Sequence, residues 1–154
     1  MSSVNSSESA PVLVLGATGY VGGRLVPRLL DKGYQVRAGV RSPAKLACRP
    51  YGNHPRLEIV AADLLDYSSL YEAMRGCRAV YYLVHSMQSG GKDFVHADQE
   101  AARNAARAAE EAGVDRIIYL GGLGEEQDHL SEHLESRREV GRILQQGRVP
   151  LTHF

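Results

Sequence analysis

The chain of 154 residues has only two cysteines, Cys48 and Cys77. Two thiols at that spacing build neither a metal-ligand cluster nor a disulfide framework, and they read as free thiols of a reducing compartment. Net charge is lacking too: 18 Lys and Arg balance 18 Asp and Glu. The basic residues are mostly arginines scattered along the chain, which leaves no electrostatic footprint for nucleic acid or an anionic membrane. No apolar run approaches the roughly 20 residues of a membrane-spanning helix. The opening residues, MSSVNSSESA, lack an apolar stretch and basic residues. They do not read as a secretory signal, and residues 1–10 are expected to be a disordered polar tail. These absences predict a soluble cytoplasmic protein without nucleic-acid or membrane partners.

What is present is an ordinary globular composition, 44% hydrophobic and 23% charged. One domain of this size buries roughly two thirds of its unfolded surface. From Pro11 onward, short apolar runs alternate with helical patterns. Val12-Leu13-Val14-Leu15 is a continuous apolar run, as expected of a strand buried on both faces. A helix is predicted from about Tyr20 to Lys32, with Pro27 as a weak point and Gly33 as its stop. Further strands are predicted at about Gln35–Val40, Leu57–Ala61, Ala79–Val84 and Arg116–Leu120, with a sixth beginning at Val149–Phe154. The intervening helices are Ser68–Arg75, Asp93–Ala112 and Ser131–Gln146, the last with Ser131 as N-cap. Such alternation predicts a doubly wound α/β sheet of Rossmann type, mostly parallel, with helices on both faces. That domain is expected over 11–154. The chain ends in a strand just begun, which suggests a domain truncated before a further region.

Gly16-Ala17-Thr18-Gly19-Tyr20-Val21-Gly22 follows the first strand and opens the first helix. Gly16 allows a tight turn, Gly19 lets backbone approach a pyrophosphate, and Gly22 permits close helix–strand packing. The helix N-terminus then offers N–H groups and a positive dipole end to phosphates. Gly16, Thr18, Gly19, Tyr20, Val21 and Gly22 are therefore candidate cofactor contacts. The second strand ends in Val40-Arg41-Ser42 without the acid that would bond a ribose 2′-OH. Arg41, with Lys45 behind it, matches a 2′-phosphate instead, as a guanidinium fork and a second charge. NADP(H) is thus expected over NAD(H), unless Arg41 is a solvated loop cation. Asp63 and Leu64, just after the third strand, are candidates for the adenine side, and Asp63 reads equally well as a turn cap. Val84 and His85, at the end of the fourth strand, are candidates for the nicotinamide ribose side. His85 with Ser86 could as well be a polar pair at a strand end.

Gly16-Ala17-Thr18-Gly19, Ala62-Asp63-Leu64 and Asp98-Gln99-Glu100-Ala101-Ala102-Arg103-Asn104 resemble the extended and atypical short-chain dehydrogenase/reductases. Tyr81–Met87 and Ile117–Gly124 resemble an atypical NAD(P)-binding branch, related to NmrA-like and epimerase/dehydratase-type proteins. The resemblance implies a dinucleotide-binding domain, a further C-terminal substrate region, an unknown small-molecule substrate and a homodimer paired through the long helices. It also implies a Tyr-x-x-x-Lys pair and a hydroxyl residue after the fifth strand. This chain has His133 and Arg137 at the pair, and Gly121 or Gly122 at the hydroxyl. His133 and Arg137 share one helix face, and a histidine can move protons near neutrality. An arginine can hold ribose hydroxyls but is not a useful proton donor. Two functions follow as expectations: an oxidoreductase with an altered catalytic set, or an NADP(H)-binding sensor or scaffold without catalysis.

Overall fold

The computed structural model describes residues 9–85, 92–121 and 132–154. Outside them lie most of the N-terminal tail, Ser86, Gly122, the acidic stretch with Glu125, Glu126 and Asp128, and the helix cap expected at Ser131.

The elements run β1 (Val12–Leu15), α1 (Gly22–Asp31), β2 (Val36–Val40), α2 (Pro43–Ala47), β3 (Leu57–Ala61) and α3 (Tyr67–Met74). They continue with β4 (Ala79–Tyr82), α4 (Lys92–Ala112), β5 (Arg116–Tyr119), α5 (Glu132–Gln146) and β6 (Leu151–His153). The strands form one sheet in the order β3-β2-β1-β4-β5-β6. Every pairing is parallel. Strand order reverses between β1 and β4, so a crevice opens beyond their carboxyl ends.

Alternation along β1 divides the core. Leu13 and Leu15 point to the face packed by α3, α4 and α5, where Leu70, Met74, Ala105, Val140 and Leu144 are buried. Val12 and Val14 point to the other face, against Val26, Leu29, Leu30 and Leu46 of α1 and α2. Both faces being covered, β1 has no polar side and reads as one apolar run. The alanines of α4 do what small residues do at a close approach: Ala101, Ala102, Ala105, Ala108 and Ala109 are all buried.

Helix α1 begins at Gly22 rather than Tyr20, because Gly16–Val21 is spent on a turn closed by Gly19 N–H donating to Gly16 O at 3.1 Å. Pro27 lies inside α1 without ending it. Proline leaves the carbonyl four residues back without its N–H partner. That carbonyl, Gly23 O, accepts instead from the Tyr51 hydroxyl at 3.3 Å. The helix stops at Gly33, whose φ of 90° suits glycine. There Tyr34 N–H donates to Leu29 O and Gly33 N–H to Leu30 O, the paired bonds of a Schellman end.

Other expected bounds shift as well, and one helix is new. Strand β4 ends at Tyr82, so Val84 and His85 lie beyond it; β5 ends at Tyr119, before Leu120. Strand β6 covers only Leu151–His153, since Pro150 has no N–H to give the ladder. Helix α2, with Ser42 at its N-cap and Pro43 in its first turn, was not anticipated. Among the described residues no helix is long and apolar enough to cross a membrane.

Candidate functional site

The glycine turn sits at the crevice between β1 and β4. A Cβ on Gly16 would stand 2.8 Å from Leu83 O and 3.3 Å from Val84 Cγ2. A Cβ on Gly22 would overlap Gly16 O and lie 2.9 Å from Ala17 Cα. These two glycines are fixed by protein packing. Gly19 differs: its Cβ would meet only Gly16 O, at 3.3 Å, with open space beyond. The turn therefore bares backbone at one point. No side chain caps the helix start at Val21. Gly23 N–H is already taken by Gly19 O at 2.8 Å and Arg24 N–H by Val21 O at 3.1 Å, so it is the exposed backbone ahead of them, from Gly19 to the start of α1, that forms a cradle fitting a pyrophosphate.

Thr18, Tyr20 and Val21 are exposed around that cradle. The Tyr20 ring carries the Arg24 guanidinium 3.7 Å above its centroid, and Arg24 Nη1 donates to Tyr20 O at 3.1 Å. A fixed cation on the first turns of α1 was not anticipated from the sequence.

Arg41 lies just past β2 and Lys45 on α2, both exposed. Asp63 Oδ1 accepts from Leu65 N–H at 2.9 Å, while Asp63 N–H donates to Ser69 Oγ at 3.0 Å. Its turn-capping role is thus present. Leu64 is half-buried, and its carbonyl accepts from Asn104 Nδ2 at 2.8 Å. Asn104 ties α4 to the turn after β3.

A second group of side chains gathers where β4 and β5 end. His85 is half-buried, its ring centroid 6.2 Å from that of Tyr119. Burial, and then the positive charge of Arg137, push the His85 imidazole down to about 4, against a smaller opposing effect of Asp98. Its resting form at neutral pH is uncharged. Tyr119 is buried, and its hydroxyl donates to Arg137 O at 2.8 Å. Burial drives that phenol up to about 12. Ser136 Oγ donates to Asp98 Oδ2 at 2.9 Å, tying α5 to α4. His153 completes the group, 5.1 Å from the Tyr119 ring.

His133 and Arg137 share α5 but part ways. Arg137 acts on His85 and Tyr119. The His133 ring stacks on Phe94 of α4 at 4.9 Å. The structure thus assembles His85, Tyr119, Arg137, Asp98 and His153. Of these, only His85 and Arg137 stood out as candidates in the sequence. A depression of about 430 Å³ lies elsewhere, with Arg37, Glu58, Glu72 and Arg75 among its lining, and contains no residue of the glycine turn. Among the described residues no cluster of His, Cys, Asp and Glu could hold a metal ion.

Residues 16–148 match the family model described as NAD(P)H-binding. The chain belongs to this family. It is 39% identical over 129 residues to a dihydroflavonol 4-reductase of Zea mays, covering 77% of this chain and 36% of that protein. It is 33% identical over 144 residues to cinnamoyl-CoA reductase 1 of rice, Oryza sativa subsp. japonica, covering 91% of this chain and 40% of that one. The chain thus spans about two fifths of the length of these curated relatives. Its fold superposes on triphenylmethane reductase of Citrobacter sp. complexed with NADP(H), with TM-score 0.77 and 22% identity, over 93% of this chain and 48% of that one. An Escherichia coli NADPH-dependent quinone oxidoreductase complexed with NADPH gives TM-score 0.76 at 25% identity, over 92% and 47%. The expected resemblance to short-chain dehydrogenase/reductases and the Rossmann sheet are both borne out. The cofactor is a nicotinamide dinucleotide, and the cradle at Gly16–Gly22 fits its pyrophosphate.

Proposed function

We propose that this chain is the NADP(H)-binding domain of a reductase whose catalytic set departs from Tyr-x-x-x-Lys. The observation that carries it is the glycine turn: Gly19 alone is open to a ligand, between two glycines that packing has already closed. In this reading the backbone from Gly19 to the start of α1 holds the pyrophosphate, and Arg41 and Lys45 hold the 2′-phosphate. Asp63 and Leu64 border the adenine; Val84 and His85 border the nicotinamide ribose. When bound, the dinucleotide supplies hydride chemistry. The chain's own groups orient it and exclude water.

His85 serves as an uncharged hydrogen-bonding ring rather than a cation, because burial and Arg137 both disfavour its protonation. Arg137 supplies fixed positive charge at the ends of β4 and β5. His133, stacked on Phe94, is the remaining candidate for proton transfer, and it sits on the exposed side of α5. Substrate binding draws on a region outside these residues, in keeping with the share of its relatives that the chain spans. Two copies pair through α4 and α5, as the resemblance implies.

The relatives named as reductases favour the enzyme over a non-catalytic sensor. Calorimetric titration with NADPH and, separately, NADH tests the reading. Tight NADPH and weak NADH binding is expected. Equal affinities remove the roles given to Arg41 and Lys45, and no binding of either removes the reading.

A further inference from the structure

Gly121 follows β5 and Gly141 lies within α5, and both face one imidazole. A Cβ on Gly121 would overlap His153 Nε2 and stand 3.1 Å from His153 Cδ2. A Cβ on Gly141 would stand 3.1 Å from His153 Cε1 and 3.4 Å from Tyr119 Cε1. The Tyr119 ring closes the slot on a third side, 5.1 Å from the imidazole centroid. Two absent side chains thus leave room for one ring. Main chain pins it there: Phe154 N–H donates to Tyr119 O at 3.0 Å, and Gly121 N–H to Phe154 O at 2.8 Å.

The slot stands where the resemblance puts a hydroxyl residue. Tyr119 cannot supply that hydroxyl, since it is buried and donates to Arg137 O. An imidazole offers a donor and an acceptor whichever nitrogen holds the proton. The dinucleotide's direction follows from the sheet. With its pyrophosphate at the end of β1 and its adenosine end toward β2 and β3, its other half must extend over β4, β5 and β6.

We propose that His153 takes the place of the missing hydroxyl. Held between Gly121 and Gly141, its imidazole is the hydrogen-bond donor facing the nicotinamide half of the dinucleotide. This rests on the dinucleotide site proposed above.

The test is NMR of the whole chain with isotope-labelled histidine rings, the His153 signals being assigned by their loss in His153→Gln. The protein is titrated with NADP+ and, separately, with 2′,5′-ADP, which carries only the adenosine half. Calorimetry follows binding of each. His153 is expected to shift with NADP+ and to stay put with 2′,5′-ADP. In Gly121→Ser, where the new side chain expels the ring, the shift is expected to vanish while NADP+ still binds. NADP+ that binds without moving His153 beyond the effect of 2′,5′-ADP overturns the inference alone. So does a shift that survives in Gly121→Ser. If neither nucleotide binds, the dinucleotide site fails and the inference falls with it.

Discussion

The Tyr119 hydroxyl donates to the carbonyl of Arg137 at 2.8 Å, joining the end of β5 to the second turn of α5. Tyr119 is buried, and its ring meets Tyr82 edge-on at 5.8 Å. Removing the hydroxyl keeps that ring packing and loses one hydrogen bond, to a carbonyl inside α5 that also accepts in the helix ladder. Tyr119→Phe should lose about 0.5–1.5 kcal/mol of stability in urea unfolding. Dinucleotide affinity should hold, because the hydroxyl points into the protein. A stability loss within error would mean that water replaces the bond.

The glycine turn separates two kinds of glycine, and alanine tells them apart. At Gly22 a Cβ overlaps backbone atoms of Gly16, which cannot swing away. Gly22→Ala should cost roughly 1–3 kcal/mol of stability, the usual range for overpacking. At Gly19 a Cβ meets a single atom, Gly16 O at 3.3 Å. Gly19→Ala should cost less stability than Gly22→Ala and weaken NADPH at least about 10-fold, or ~1.4 kcal/mol, as its methyl enters the ligand's place. Unfolding and calorimetry on the two variants read both effects. Intact NADPH affinity in Gly19→Ala would count against a pyrophosphate there.

Arg37 holds the β2–β3 side together. Its Nε pairs with Glu58 Oε2 at 2.8 Å, and one terminal nitrogen donates to Ala73 O at 2.9 Å and Arg75 O at 2.6 Å. The side chain is only 16% exposed. Arg37→Met should destabilise by about 2–4 kcal/mol, since two carbonyls and a carboxylate lose a charged partner. It lies away from the glycine turn, so NADPH affinity should be unchanged in the folded fraction. A loss of affinity without a loss of stability would contradict this assignment.

Much of this was legible in the residues. The apolar run Val12–Leu15 names a doubly buried strand, and Gly33, Gly76 and Gly113, all at positive φ, mark the ends of three strand-to-helix units. The spacing announced a tight turn at Gly16, which has a φ of 86°, and close packing at Gly22. Helix α2 was not legible: five residues hold no full period, and only Leu46 is buried. The Pro27 helix survives through Tyr51, a partner 28 residues from Gly23 that no local pattern points to. The slot around His153 was hidden for the same reason. Gly121 and Gly141 each show that a side chain is missing, but only the fold shows which ring fills the gap.

His85 sets a pH dependence whose sign can be worked out. Its imidazole titrates near 6.5 when unfolded and about 4 when folded, because burial and Arg137 disfavour the cation while Asp98 only partly offsets them. Above pH 6.5 neither state binds the proton, and His85 leaves stability unchanged. Between 6.5 and 4 the unfolded chain takes up a proton that the folded chain refuses, so stability falls as pH falls. Below about 4 both states are protonated and the loss is complete. The urea midpoint should therefore drop from pH 6.5 to pH 4, and His85→Gln should flatten that part of the profile. Equal slopes in the two proteins would show that His85 is solvated and that Arg137 does not act on it.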